Sequence, residues 1–277
     1  MIPLRDENPT RRVPVVTIVL ILVNIGVYFL VQPEGHQLFT RAPANEAALD
    51  STRFSFEYAA IPCELTTGEP LSPREFPRSS EGEDGSCRRG GQDRPIFPDK
   101  QVWMAVLFSM FLHGSLLHLG GNMLFLWVFG NNIEDHLGRA RYLVFYLVSG
   151  TVATAAHILV QPGSTIPVIG ASGAVAGVMG AYLVWFPTAP VLTAFFFFIV
   201  LFREIQAKWL LGFWLVSQFF LNPNSGVAWV AHVGGFAFGA AVGLVVRASR
   251  GARALAWRDP YLEPTTDPWA GEPPKRY

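Results

Sequence analysis

The chain has 277 residues, 51% hydrophobic and only 15% charged, with a mean hydropathy of +0.31. A soluble domain carries about 25% charged residues, so this balance points to lipid and excludes an ordinary soluble globule. The 21 basic and 21 acidic residues give zero formal net charge, which removes the electrostatic case for a nucleic-acid partner.

In chain order, residues 1–12 form a short basic N-terminal segment. Val13 to Val31 is an apolar run of about twenty residues, the length of a retained first membrane helix rather than a signal h-region. The stretch 32–100 is rich in Pro, Gly, Ser and acidic residues and reads as a loop-rich insert, not an independent domain. Trp103 to Leu112 is apolar but too short to cross a bilayer. Further spans are expected near 114–130, 142–160, 168–186, 207–221 and 227–246, so that 101–247 forms a core of five helices. The Phe-rich run Ala194 to Phe202 is either interfacial or an extension of the fifth span. Residues 248–277, with Pro260, Pro264, Pro268, Pro273 and Pro274, read as a disordered tail. The expected fold class is an all-α polytopic membrane protein, a six-transmembrane helical bundle.

Orientation follows from the distribution of basic residues. With the N-terminus in the cytoplasm, Arg139/Arg141 and Arg203/Lys208 fall in inside loops, and the tail with Arg247, Arg250, Arg253 and Arg258 is also inside. The opposing loops 161–167 and 222–226 carry no Lys or Arg. The insert is then extracytoplasmic, and the protein is expected in the cell membrane with both termini cytoplasmic. A Cys63–Cys87 disulfide is permitted outside the cytoplasm; two free thiols are the alternative. A zinc site needs about four ligands, which the neighbouring sequence does not offer, so no metal and no cofactor is expected.

Polar side chains inside spans are costly and point to function. Spans two, four and six run in one direction. Ser172 then falls about four residues into the fourth and His232 about five into the sixth, roughly 6–8 Å below the outer boundary. His118 and Asn122, spaced i, i+4, share a face of the second span at a similar depth. Gly173-x-x-x-Gly177 and Gly235-x-x-x-Gly239-x-x-x-Gly243 allow spans four and six to cross closely. A lone Ser in such a helix usually bonds its own backbone; the shared layer is what argues for more. A hydroxyl and an imidazole are the minimal pair for nucleophilic catalysis. No carboxylate shares their layer, because Glu134 and Asp135 lie at the cytoplasmic end of span two, where they are expected to fix the 131–141 loop. The expected chemistry is that of a Ser–His dyad.

Gly170-Ala171-Ser172-Gly173, His118-x-x-x-Asn122 within Phe111 to Asn122, Gly130 to Arg139, and Ala231-His232-Val233-Gly234-Gly235 together resemble the rhomboid intramembrane serine proteases. The resemblance covers roughly residues 10–30 and 100–247. It implies that Ser172 is the nucleophile and His232 the general base and then acid. It also implies an oxyanion hole of His118, Asn122 and the Ser172 backbone N–H, with His113 supporting by a hydrogen bond and Gly170 supporting beside the serine. Substrates would be transmembrane proteins, cut near the outer face of the lipid bilayer. Two departures concern loop placement and substrate choice: Trp103 is followed by Met104 where many relatives carry Trp-Arg, and the insert 32–100 is long. His157 reads as a packing histidine, and His136 is assigned no chemistry. A metalloprotease would show His-Glu-x-x-His, which is absent, and a transporter would show repeated halves and broken helices. The alternative that stays open is a non-catalytic rhomboid-like factor for membrane-protein binding or quality control.

Overall fold

The computed structural model describes residues 1–37, 44–75, 87, 93–196, 200–221 and 228–250. The expected tail beyond 250 and the loop 222–226 lie outside these residues. In chain order the structure runs β1 (Ile2–Asp6), α1 (Val15–Leu30), α2 (Pro33–Gln37), α3 (Ala44–Tyr58), α4 (Pro62–Thr67), α5 (Ala105–Ser109), α6 (Leu116–Leu137) and α7 (Arg139–Val160). There follow α8 (Ser172–Trp185), β2 (Pro190–Phe196), β3 (Val200–Gln206), α9 (Ala207–Gln218) and α10 (Trp229–Arg250).

Helix α8 lies at the centre, buried from Gly173 to Tyr182 and packed against α6, α7 and α10. Its small residues permit this. A Cβ added to Gly239 of α10 would overlap the Gly177 carbonyl oxygen of α8, and one on Gly180 would overlap the Phe236 carbonyl oxygen. The two helices therefore touch backbone to backbone, as small-xxx-small patterns allow. Trp185 closes the far end by donating its indole N–H to the Gly243 carbonyl at 2.8 Å.

Among the described residues two helices are long and apolar enough to cross a membrane, Arg139–Val160 and Trp229–Ser249, with Val15–Leu30 and Ser172–Trp185 as shorter apolar helices. The sequence boundaries change in several places. Helix α6 continues through Leu137, so the expected 131–141 loop is helical apart from Gly138, whose φ of +80° lets one residue turn the chain into α7. Glu134 does not fix a loop. Its two oxygens accept from Val16 N (2.9 Å), Thr17 N (2.8 Å) and Thr17 Oγ1 (2.8 Å). It thereby satisfies first-turn donors of α1 that have no partner within their own helix.

The described residues are mostly helical, as expected, with one small sheet added to the helices. Of the run expected as interfacial or as part of the fifth span, residues 194–196 lie in β2 and 200–202 in β3, which pair antiparallel with Pro190 opposite Gln206 and Phe196 opposite Val200. β1 adds antiparallel to β2, giving the order β1-β2-β3. The run Val191 to Phe196 is rich in β-branched and aromatic residues, which suit a pleated surface better than a helix, and Pro187 and Pro190 break any helical continuation. Helix α9 is correspondingly short at 12 residues, against the expected 207–221.

The insert is less loop-like than its composition suggested. Among the described residues it holds α2, α3 and α4, and Phe56, Ile61, Cys63 and Leu71 form a small separate core with Cys87 and Phe97. Cys63 and Cys87 are joined in a disulfide. Lys100 and Glu64 form a buried ion pair at 2.5 Å, and Lys100 also donates to the Phe56 carbonyl at 2.7 Å. Burial pushes the Glu64 carboxyl up and the Lys100 amine down, each opposed by its partner.

Candidate functional site

Three helix starts converge. Ser115 caps α6 by accepting from His118 N at 3.1 Å, which sets His118 as the third residue of that helix and Asn122 one turn further on. The Asn122 side chain is buried and donates to the His118 carbonyl at 2.9 Å; an amide nitrogen has a second hydrogen to give. His232 is the fourth residue of α10.

Ser172 is the first residue of α8, not four residues into a span that begins at 168. The helix cannot start earlier, because Gly170 has φ +122° and Val168 is held in a β-bridge to Ala60. The change is chemically useful. Donors in the first turn of a helix have no intrahelical acceptor, and that end carries partial positive charge. The Ser172 N–H thus belongs to a site suited to a developing anion.

Ser172 Oγ lies 2.8 Å from His232 Nε2. On the other side of the ring, His232 Nδ1 lies 2.8 Å from Gln218 Oε1. His118 lines the same cavity beside Gly170. A Cβ placed on Gly170 would stand 2.8 Å from His118 Cε1, 3.0 Å from its Nε2 and 3.5 Å from Ser172 Oγ. Position 170 therefore requires glycine twice over, for its backbone angle and for the room it leaves His118. His118, Asn122, Ser172 and His232 line one cavity of about 620 Å³, whose walls include Met110 and Trp214.

His113 takes part by ring packing. Its ring stands edge-on to His118 with centroids 5.2 Å apart. Its backbone is clamped by Gln32, which accepts from His113 N at 2.9 Å and donates to His113 O at 3.0 Å. His157 is buried on α7. His136 packs on Trp185 with ring centroids 4.4 Å apart, at the far end of α8.

Two contributors escaped sequence reasoning. Gln32 sits at a span boundary beside Pro33 and carries no signal there. Gln218 did carry one: an amide in the apolar run from Trp209 to Phe220 is as conspicuous as Asn122. The insert also reaches the site. Ser109 Oγ accepts from Ala60 N at 2.6 Å, Ser109 O accepts from Gly170 N at 2.9 Å, and Val168 N donates to Ala60 O at 2.8 Å.

His118, Asn122, Ser172 and His232 all fall within the part of the chain that matches known proteins. A family model described as the rhomboid domain matches residues 99–249. Rhomboid protein 1, mitochondrial, of Saccharomyces cerevisiae is 29% identical over 142 residues, covering 50% of this chain and 34% of that protein. The putative rhomboid protease YdcA of Bacillus subtilis is 30% identical over 142 residues, 50% of this chain and 64% of that protein. Rhomboid protease GluP of the same organism is 37% identical over 81 residues, 29% of this chain and 15% of that protein. The matched part of the chain thus spans between 15% and 64% of these relatives.

Proposed function

The chain belongs to the rhomboid family of helical integral membrane proteins, and on that premise we propose that it is an intramembrane serine endopeptidase working through Ser172 and His232. The observation that carries this reading is the 2.8 Å approach of Ser172 Oγ to His232 Nε2 at the N-terminus of α8. Nε2 takes the hydroxyl proton as Oγ attacks a peptide carbonyl, forming a tetrahedral intermediate. Its oxyanion is met by the Ser172 N–H, the second amide hydrogen of Asn122 and the His118 ring. Preorganised donors of this kind act strongly where water is excluded. The imidazolium then protonates the leaving amine, and a water activated by the same ring hydrolyses the acyl-enzyme.

In this reading the α1, α6, α7, α8, α9 and α10 helices are the six spans, and the first turns of α6, α8 and α10 face the extracytoplasmic side. The insert lies outside, both termini lie in the cytoplasm, and the membrane is the cell membrane. Substrates are transmembrane proteins cut in the outer part of the bilayer, and no cofactor or metal takes part. The six-span arrangement is supported by the basic residues of the 139–141 and 203–208 segments.

The test is cleavage of a fluorogenic transmembrane peptide by the purified protein, with Ser172→Ala and His232→Ala alongside. Each variant should remain folded and lose about 10³-fold or more in turnover. The double variant should be no worse than either single one, because the two act as a unit. Near-normal turnover by Ser172→Ala overturns the dyad. A wild-type protein that neither cleaves membrane substrates nor reacts at Ser172 with a fluorophosphonate is the non-catalytic binding factor instead.

A further inference from the structure

The hydrogen bonds around His232 define a direction. Gln218 Nε2 lies 3.0 Å from the Trp214 carbonyl oxygen, one turn back in α9. A carbonyl only accepts, so this contact fixes which end of the Gln218 amide is the NH₂ group. Gln218 Oε1 is then the atom facing His232 Nδ1, and it too only accepts. The ring nitrogen opposite it must therefore carry the proton. With Nδ1 protonated, the neutral ring keeps its lone pair on Nε2, the nitrogen 2.8 Å from Ser172 Oγ.

We propose that Gln218 is the positioning residue of this enzyme, an α9 side chain that holds His232 in the Nδ1–H tautomer and so leaves Nε2 free to take the serine proton. The inference rests on the reading of Ser172 and His232 as a catalytic pair. The role matches what the acid of a catalytic triad does for ring orientation, performed here by a neutral amide. A carboxylate in its place would have to be buried among apolar helices, whereas the Gln218 side chain is buried with both ends hydrogen-bonded. The surroundings are built for it. The Trp214 ring lies over His232 with centroids 5.9 Å apart and stacks on Phe236 at 6.0 Å. The same turn of α9 thus supplies both the polar and the apolar restraint on the imidazole. Helix α9 otherwise turns Trp209, Phe213 and Val216 outward, and Gln218 is its one buried polar residue.

The experiment uses the full-length protein in detergent, labelled with ¹⁵N-histidine, and compares wild type with Gln218→Met and Gln218→Glu. Nitrogen shifts report the His232 tautomer directly and need no proteolytic activity; the His232→Asn variant assigns the signal. Wild type should show protonated Nδ1 and unprotonated Nε2. Gln218→Met, similar in size but without an acceptor, should show a mixture of tautomers. It should lose roughly 10- to 100-fold in kcat at nearly constant KM, less than the ~10⁴-fold cost of imposing the wrong tautomer on a serine protease. Gln218→Glu, in the protonated form that burial favours, offers a hydroxyl donor to the Trp214 carbonyl and an acceptor to Nδ1, and should recover both the tautomer and most of kcat. The proposal is overturned if wild-type His232 is not protonated at Nδ1, or if Gln218→Met keeps the wild-type tautomer and kcat. It is equally overturned if Gln218→Glu falls as far as Gln218→Met, since that pattern marks a purely structural residue. Should Gln218→Met not fold, the tautomer in wild type and in Gln218→Glu still decides. Failure of the protease reading appears separately, as a Ser172→Ala variant that still cleaves.

Discussion

The Tyr182 hydroxyl donates a 2.7 Å hydrogen bond to the Asp6 carboxylate, 176 residues earlier in the chain. Asn132 donates its amide to the same oxygen. One acidic side chain thus ties β1 to α6 and to α8, about 15 Å along that helix from Ser172 at ~1.5 Å per residue. Burial pushes the Asp6 carboxyl up to about 7, and the Tyr182 hydrogen bond opposes this only in part. The folded protein therefore holds a proton that the unfolded chain, with an ordinary value of 3.8, has already released. The stabilisation is complete below about pH 4 and is lost as pH rises through about 7. Asp6→Asn should remove that loss. Relative to wild type, its melting temperature should rise steadily between pH 4 and pH 8 in detergent. A difference independent of pH would show that Asp6 is ionised throughout.

Glu134 is expected to be a major support of α1. It accepts three hydrogen bonds from Val16 and Thr17 and is only 3% exposed. Hydrogen bonds to a charged acceptor contribute about 1.5–3 kcal/mol each, and a negative charge at a helix N-terminus adds a favourable dipole interaction. Glu134→Ala leaves one buried and one part-buried backbone donor and a buried hydroxyl without that acceptor. It should cost about 3 kcal/mol or more of unfolding free energy, and Glu134→Gln should cost less. Chemical denaturation in detergent measures both, and equal stability of Glu134→Ala and wild type would refute the cap.

Gly239 tests whether α8–α10 contact sets the dyad. A Cβ there would overlap the Gly177 carbonyl, so Gly239→Ala must push the helices apart. Overpacking of this kind costs typically 1–3 kcal/mol. Because Ser172 and His232 ride on these same two helices, activity should fall further than the lost stability explains. Gly212→Ala is the control, since nothing stands within 4 Å of a Cβ at that position. If Gly239→Ala were as active as Gly212→Ala, the close crossing would not be what sets the Ser172–His232 distance.

These residues also show what the sequence could and could not reveal. Ser172, His232, His118 and Asn122 were conspicuous because each is a polar group in an apolar run, and helical spacing alone placed them at similar depth. The glycine pattern in α8 and α10 anticipated their close crossing for the same local reason. Asp6 and Glu134 were opaque, since their partners lie more than 100 residues away. The β2–β3 hairpin was missed because a short apolar run fits a strand as well as a buried helix. The position of Ser172 at a helix start depended on Gly170 φ and on the Ala60–Val168 bridge, a contact with the insert that no local pattern announces. Gln218 is as legible as Asn122, an amide in an apolar run, but its partner His232 lies on another helix and only the fold brings the two together.

Asn122 should serve the transition state more than substrate binding. It lies one turn from His118 on the same helix, and one amide hydrogen is committed to the His118 carbonyl at 2.9 Å. The second can meet an oxygen that gains charge as Ser172 attacks. A neutral donor gains most when its acceptor becomes an anion, so the interaction strengthens on the way to the tetrahedral intermediate. Loss of one such donor typically lowers kcat by ~10²–10³-fold. Asn122→Ala should therefore reduce kcat by that order with KM little changed, the signature of an interaction made only in the transition state. Asn122→Ala also frees the His118 carbonyl, a backbone effect that an unfolding measurement separates from the kinetic one. Steady-state cleavage of a fluorogenic transmembrane peptide gives both constants. A raised KM at unchanged kcat would make Asn122 a substrate-binding group and leave the Ser172 N–H and His118 as the oxyanion donors.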